Sequence, residues 1–277
     1  MLRQAGEDAK LLAGGQSLGP LLNLRLARPA VLIDLNRVEG LAYIRKESST
    51  LVIGAMTRQR ELEFSTLLAA EFPILVDAIR QVGHPAIRNR GTIGGSLAHA
   101  DPAAELPCVL SALDARIVAT GPQGQRICSL DAFFEGPYTV NLAEDELVTE
   151  IQIPLDPRLE SWAFLEFSRR HGDFALAEVA VALYATGGTY EGARVVVGTP
   201  STKPMGLEQT SREIAEVGFP VAGSSNPVDP LVRIEQTAAR EIAELAGPDT
   251  LTAYQEHLAA VLVRRAVARA LGGRKVA

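Results

Sequence analysis

Two short segments of this chain place paired glycines and hydroxyl side chains directly after apolar residues. The first reads "LLAGGQSL" (11–18) and the second reads "GTIGGSLAHADP" (91–102). Consecutive glycines allow the backbone to adopt positive φ and to bring its N–H groups close to a ligand, and a row of such groups suits phosphate oxygens. The hydroxyls of Ser17, Thr92 and Ser96 can donate to the same oxygens. The repeated pattern predicts two loops that grip a pyrophosphate from both sides.

Neither segment matches the common nucleotide-binding motifs. Gly14, Gly15 and Gly19 form G-G-x-x-x-G, which differs from the G-x-G-x-x-G of dinucleotide-binding folds, and no Gly-Lys-Ser/Thr follows either pair. A single glycine pair is most often only a turn, and that alternative stays open for each loop. The occurrence of two pairs, each with hydroxyls beside it, favours a binding role.

Composition excludes several classes of function. The chain has 277 residues, 47% of them hydrophobic and 22% charged, which is typical of a soluble globular protein of two domains. A net charge of -6 without a basic block argues against nucleic acid as a partner, and no apolar run reaches the roughly 18 residues of a membrane span. Cys108 and Cys128 are too few for a four-thiolate iron–sulfur cluster or a disulfide scaffold. The expected compartment is the cytoplasm.

Short β-branched runs and amphipathic segments alternate through the first half of the chain. Residues 30–35 ("AVLIDL") and 51–55 ("LVIGA") have the composition of strands, as do "ARIVATG" and "ELVTEIQIPL" further on. Apolar spacing over 57–82 predicts helix, which Pro73 either divides or restarts, and residues 104–113 predict another helix. This alternation favours an α/β or α+β domain.

The second half of the chain follows a different pattern. Residues 154–161 ("PLDPRLES") contain two prolines and little apolar periodicity, so they are the best candidate for a linker. Beyond them, Gly187–Gly188 between two apolar runs predicts a hairpin turn, and residues 229–245 and 251–271 predict amphipathic helices. We therefore expect a second α+β domain over about residues 160–277.

Three motifs together resemble one family. The segments "LLAGGQSL...LNLRLARP...LIDL", "IRNRGTIGGSLAHADPAAELP" and "FSRRHGDFALA" look like the flavin-binding medium subunit of molybdenum-containing hydroxylases, which include carbon monoxide dehydrogenase and xanthine dehydrogenase. The resemblance runs from Lys10 into the last helix. It implies an α+β fold: a two-lobed FAD-binding domain of the vanillyl-alcohol-oxidase (PCMH) type over 1–157, divided near 55–60, followed by a smaller α+β C-terminal domain over 160–277.

The resemblance also implies a cofactor and partners. FAD is expected to bind noncovalently, because residues 13–18 and 92–96 contain no His or Cys, although His99 lies near enough to be tested. The molybdenum cofactor would lie on a large partner subunit and the 2Fe–2S clusters on a small one, in a dimer of heterotrimers (a heterohexamer). The chain would take electrons from the clusters and pass them to quinone, NAD or oxygen. Residues 98–101 and 169–173 are expected to contact these partners.

The same resemblance implies the residues that bind FAD. The two loops would wrap its pyrophosphate, with His99 beside the site, Asp101 and Glu105 as candidates for hydroxyls of the ribose or ribityl chain, and Val148 meeting the flavin ring through its backbone. No residue is assigned a catalytic or metal-binding role. The loop residues are Ala13, Gly14, Gly15, Gln16, Ser17 and Leu18, then Thr92, Ile93, Gly94, Gly95 and Ser96.

The sequence departs from the family pattern at two places. Many members carry a lysine near the flavin where this chain has Glu166, which puts the tuning of the flavin potential in question. Members also usually carry a further strand and helix before the first motif, so we expect either a shortened start or a partner that covers this edge.

Two other functions stay open at the level of sequence. One is a self-contained flavoprotein reductase of the same fold, such as the enzyme that acts on UDP-N-acetylenolpyruvoylglucosamine. The other is a scaffold protein that has lost flavin. The first would need its own substrate pocket and proton donor, and the second would show no flavin absorbance.

Overall fold

The computed structural model describes residues 9–221 and 228–272, together with Leu2 and Gly6. The chain divides into two compact units. The first contains Met1–Asp101 and Asp114–Leu155, and the second contains Pro102–Leu113 and Asp156–Ala277.

The first unit contains nine of the described strands, arranged in three sheets. β1 and β2 form a parallel pair, and β7 and β8 form a short antiparallel pair. The other five form an antiparallel sheet in the order β3-β4-β9-β5-β6, in which β4 is buried along most of its length. The strands are β1 Ala9–Leu12, β2 Val31–Asp34, β3 Ile44–Glu47, β4 Thr50–Gly54, β5 Arg116–Gly121, β6 Gly124–Ser129, β7 Phe134–Gly136, β8 Thr139–Val140 and β9 Leu147–Pro154.

Short helices connect these strands, and one of them belongs to the second unit. The helices up to residue 133 are α1 Leu18–Asn23, α2 Gln59–Glu63, α3 Thr66–Glu71, α4 Pro73–Gln81, α5 Pro85–Arg88, α6 Ile93–His99, α7 Glu105–Ala112 and α8 Leu130–Phe133. The segment predicted as one or two helices over 57–82 is three. Ser65 ends the first by capping α3, where its hydroxyl accepts the N–H of Leu68 at 3.2 Å. Pro73 begins α4, a position that needs no N–H donor.

The second unit is an antiparallel sheet with helices on both faces. The strands, in the order β10-β11-β12-β13, are β10 Leu159–Phe167, β11 Ala177–Thr186, β12 Thr189–Thr199 and β13 Thr202–Gly206. Gly187 and Gly188, both at positive φ, form the predicted hairpin turn between β11 and β12. One face packs Val181 and Val197 against α9 Glu208–Val217, α10 Val228–Ala246 and α11 Ala253–Leu271.

The helix α7 covers part of the opposite face of that sheet. The Sγ of Cys108 lies 3.5 Å from the carbonyl oxygen of Val196 on β12, and Cys108 and Leu110 are fully buried. We predicted α7 within the first domain, but this apolar packing places it in the second unit. Because α7 directly follows the second glycine segment in the chain, its place in the sequence indicated the first domain.

Two predicted boundaries also differ from the structure. The chain passes from the first unit to the second between Leu155 and Asp156, inside the predicted linker, but the linker is shorter because β10 already begins at Leu159. The five-stranded sheet continues across the division expected near 55–60, since β4 pairs with β9. Within the described part of the chain, no helix is both long and apolar enough to cross a bilayer.

Candidate functional site

The first glycine segment is a tight loop between β1 and α1. Gly15 has φ +74, the left-handed conformation that favours glycine. The amide Nε2 of Gln16 donates to the carbonyl oxygen of Gly14 at 3.2 Å, and the N–H of Gly19 donates to the carbonyl oxygen of Gly15 at 2.9 Å. The hydrogen bonds inside the loop therefore use the carbonyl oxygens of Gly14 and Gly15 as acceptors and leave the N–H groups of residues 14–17 unused.

Four consecutive backbone N–H groups of this loop have no acceptor among the residues that the structure describes. Among the described residues, the N–H groups of Gly14, Gly15, Gln16 and Ser17 donate to no protein atom, although Gly14 is buried. Ser17 precedes α1 but its hydroxyl makes no capping bond. Gly14 is buried, and a buried N–H group is almost always hydrogen-bonded, so its unused donor and the three that follow it make this loop a candidate site for an anionic ligand.

The second glycine segment is built differently. The N–H of Gly94 donates to the carbonyl oxygen of Ala55 at 2.8 Å, and the N–H of Gly95 donates to the Oγ1 of Thr92 at 3.1 Å. The expectation of a second row of free N–H groups is therefore wrong for these two residues. Gly94 serves close packing instead, because a Cβ there would lie 2.5 Å from the Cβ of Ala55. The hydroxyl of the half-buried Ser96 remains available to a ligand.

The two segments lie in direct contact. A Cβ on Gly14 would lie only 2.3 Å from the carbonyl oxygen of Arg90 and 2.8 Å from the Cα of Gly91. A Cβ on Gly95 would lie 3.3 Å from the Cβ of Ala13. The two loops therefore lie side by side, and glycine at position 14 is what allows the backbones to approach so closely; that they grip a pyrophosphate stays a prediction.

A cluster of His99, Asp101 and Tyr138 lies at the other end of α6. The rings of His99 and Tyr138 are 5.2 Å apart, and the N–H of Tyr138 donates to the carbonyl oxygen of Ala100 at 2.7 Å. Ala100 and Tyr138 both have positive φ, at 50° and 57°, which is costly for residues other than glycine. Burial lowers the pKa of His99 against the opposing charge of Asp101, and burial followed by Asp101 raises the pKa of Tyr138.

Tyr138 was not among the predicted site residues. It reaches His99 because the β7–β8 hairpin returns to the end of α6, a pairing that spacing along the chain does not reveal. The nearby "FFEGPY" offers no motif by which it could have been found.

The remaining predicted residues lie elsewhere. Val148 is buried on β9, opposite Ala119 of β5 in the first unit. Glu105 is buried in the first turn of α7, in the second unit. Glu166 is half-buried on β10, where desolvation, partly offset by Ser168, raises its pKa to about 7. The roles of Val148, Glu105 and Glu166 toward a flavin stay predictions.

The described residues contain no group of three or more His, Cys, Asp or Glu side chains placed to hold a metal ion. Both cysteines are free thiols, and burial raises the pKa of each. The donors at the first glycine loop are instead backbone N–H groups.

Residues 1–156 match the sequence family described as "FAD binding domain in molybdopterin dehydrogenase". The chain belongs to this family. FAD fits the residues present: its pyrophosphate is the anion that a row of free N–H groups beside Ser17 would bind, and glycine at position 14 leaves the loops close enough to hold it. Residues 13–18 and 92–96 contain no His or Cys that could link covalently to a flavin.

Relatives with established names extend the match over the whole chain. The 6-hydroxypseudooxynicotine dehydrogenase complex subunit alpha of Paenarthrobacter nicotinovorans is 51% identical over 180 residues, or 65% of this chain and 61% of that one. Caffeine dehydrogenase subunit beta of Pseudomonas sp. (strain CBB1) is 37% identical over 272 residues, 98% of this chain and 90% of that one. A solved carbon monoxide dehydrogenase of Hydrogenophaga pseudoflava matches with a TM-score of 0.87 at 36% identity, covering 98% of this chain and 92% of that chain.

Proposed function

We propose that this chain is the FAD-binding electron-transfer subunit of a molybdenum-containing hydroxylase complex. The observation that carries the proposal is the row of unused N–H groups at Gly14–Ser17, packed directly against the second glycine segment in a chain of this FAD-binding family. FAD, when bound, supplies the redox chemistry that joins one-electron carriers to a two-electron acceptor. The protein's own residues bind and orient it.

The residues divide by the part of FAD that they would hold. The segments 13–18 and 92–96 bind the pyrophosphate, with N–H donors from the first and the hydroxyl of Ser96 from the second. Asp101 accepts from a hydroxyl of the ribose or ribityl chain, and the backbone of Val148 meets the flavin ring. Burial lowers the pKa of His99 despite the opposing charge of Asp101, which favours the neutral imidazole beside the cofactor.

The domain assignment is part of the proposal. The first unit, with its β1–β2 pair and its five-stranded sheet, would be the two-lobed PCMH-type domain. The separation of the lobes would then fall between β2 and β3, because β3 and β4 belong to the larger sheet. The second unit would be the C-terminal domain of the carbon monoxide dehydrogenase flavoprotein type.

Partner subunits would carry the other redox centres. The matched relatives are named as subunits or chains of dehydrogenases, which favours a complex over a self-contained reductase. A small iron–sulfur subunit and a large molybdenum subunit would join this chain in a dimer of heterotrimers. The loop between β10 and β11 offers a contact for them, since it exposes Phe174 at 71% beside Arg169 and Arg170.

Affinity purification tests this proposal. The chain, tagged and expressed with its neighbouring genes, should retain two other subunits, and the purified material should contain FAD, iron and molybdenum in fixed ratio. Acid denaturation should release all flavin into solution. A tagged chain that purifies alone and reduces an organic substrate would overturn the proposal in favour of the self-contained reductase, and one that lacks flavin even in a complex would favour the scaffold.

A further inference from the structure

A small polar network joins the base of the first glycine loop to a neighbouring segment. Asn36 follows β2, and its Nδ2 donates both to the carbonyl oxygen of Ala13, at 3.0 Å, and to the Oδ1 of Asp34. The Oδ1 of Asn36 accepts from the Nη2 of Arg58 at 2.5 Å. The amide is therefore fixed in orientation, because its oxygen and its nitrogen each have a partner.

Arg58 carries the connection onward to the second glycine segment. Its Nη1 donates to the carbonyl oxygen of Arg90, and its backbone pairs with Thr92 in an isolated antiparallel bridge. The next residue, Gln59, donates its N–H to the carbonyl oxygen of Gly91 at 2.9 Å. The guanidinium thus spans the gap between Asn36, which holds Ala13, and the residues that lead into the second segment.

The carbonyl group of Arg90 has two neighbours that matter. It accepts from Arg58, and it is also the atom that lies 2.3 Å from where a Cβ on Gly14 would be. The network therefore acts at the point where the two loops touch. A guanidinium can serve this geometry because its planar fork presents donors from two nitrogens in fixed directions, whereas a lysine ammonium presents all its donors from a single nitrogen.

We propose that Arg58 and Asn36 form a loop brace, a pair of positioning residues that fix the spacing of the two glycine loops and thereby set how long FAD stays bound. The inference rests on the proposed binding of FAD between these loops. The brace itself touches the loops through the carbonyl oxygens of Ala13 and Arg90, and it leaves the N–H donors of Gly14–Ser17 free for the cofactor.

The test measures FAD release from the purified complex. The complex is diluted until rebinding of FAD is negligible, and the release rate is followed by the fluorescence of free flavin. Arg58→Met and Asn36→Ala should each release FAD about tenfold faster than the wild type. Arg58→Met removes the hydrogen bonds of the guanidinium, and Asn36→Ala removes the amide that bonds both to the guanidinium and to the carbonyl oxygen of Ala13. The double variant should release FAD at most about twofold faster than Arg58→Met, because both substitutions act through one network.

Two matched variants separate positioning from charge and from folding. Arg58→Lys keeps the positive charge but loses the fork in which two separate nitrogens meet Asn36 and the carbonyl oxygen of Arg90, so it should also release FAD faster than the wild type. Arg37→Met removes an exposed arginine beside Asp34 that makes no described hydrogen bond to either loop, and it should release FAD at the wild-type rate. The thermal midpoint of unfolding is measured for each FAD-free variant as a control for folding. Because Asn36 is exposed, Asn36→Ala is the substitution least able to disturb the fold.

The outcomes distinguish the brace from the binding of FAD itself. Faster release in Arg58→Met, Asn36→Ala and Arg58→Lys, with Arg37→Met unchanged, supports the brace. Wild-type rates in Asn36→Ala and Arg58→Lys would overturn it while leaving FAD binding in place. A wild-type complex without releasable FAD would instead contradict the proposed function.

Discussion

At the scale of single residues, Gly14 is the loop position that leaves the least room for a side chain. Gly14→Ala would force its Cβ to within 2.3 Å of the carbonyl oxygen of Arg90, so one loop must move away from the other. We expect the purified complex to lose most of its FAD, measured as flavin per molybdenum. Gly206→Ala, where no atom lies within 4 Å of the added Cβ, is the control and should keep full flavin content. Equal flavin content in both variants would mean that the contact is unimportant for binding.

Glu166 gives a second prediction at this scale. Desolvation raises the pKa of its carboxyl from 4.5 to about 7, so folding favours the protonated form. The stabilising effect of the proton is present below the ordinary pKa and is lost as pH rises through 7. Glu166→Gln should therefore raise the thermal midpoint of the full chain at pH 8 and leave it unchanged near pH 4. A midpoint difference that does not depend on pH would contradict this account of the carboxyl.

At the scale of elements, α5 is anchored by Arg88, which has only 7% of its side chain exposed. Its Nε donates to Glu63 of α2 at 2.9 Å and its Nη1 donates to the carbonyl oxygen of Val82 at 2.9 Å. Arg88→Met should lower the free energy of unfolding by about 3–5 kcal/mol, because it leaves a buried carboxylate without its main partner. Arg60→Met, at the more exposed partner of Glu63, should cost about 1 kcal/mol or less. Denaturant titration of both variants measures the difference, and equal losses would contradict the assignment.

The same pair predicts an acid dependence. Burial tends to raise the pKa of Glu63, but hydrogen bonds and charges from Arg88 and Arg60 outweigh it and lower the pKa below 4.5. A lowered carboxyl pKa stabilises the fold above its ordinary value, and this contribution is lost as pH falls through the depressed value. The difference in unfolding free energy between wild type and Glu63→Gln should shrink as pH falls from 6 toward 3. A constant difference over that range would show that the charge of Glu63 contributes nothing.

A buried carboxylate also holds two helices of the second unit together. Glu241 of α10 accepts from the N–H groups of Gln209 and Thr210 and from the hydroxyl of Thr210, all at 2.8–2.9 Å, at the start of α9. Glu241→Gln replaces one acceptor oxygen by a donor that faces N–H groups, and should lower the free energy of unfolding by about 1–3 kcal/mol. Glu244→Gln, exposed on the same helix, should change it by less than about 0.5 kcal/mol. Similar values for the two variants in denaturant titration would contradict the cap.

At the scale of the whole molecule, the sequence predicted what is local and repeated. The glycine pairs, the strands around residues 31–34 and 50–54, and the hairpin at Gly187–Gly188 follow from composition and turn chemistry over a few residues. It could not predict what depends on tertiary pairing. The N–H groups of Gly94 and Gly95 are used inside the protein, Tyr138 reaches His99 through a hairpin, and Arg58 meets Asn36 from a different element. The membership of α7 in the second unit likewise depends on which sheet its apolar side covers.

The central claim is that electrons leave the partner's clusters through FAD held by this chain. The most direct measurement is the rate at which the reduced clusters are reoxidised, followed by their visible absorbance. The complex is first reduced with stoichiometric dithionite and is then mixed with menadione, NAD or oxygen in turn. With at least one acceptor, the clusters of the wild-type complex should reoxidise at least about tenfold faster than those of a FAD-free Gly14→Val complex. Equal rates in the two complexes, or no reoxidation of the wild type by any of the three acceptors, would contradict the claim.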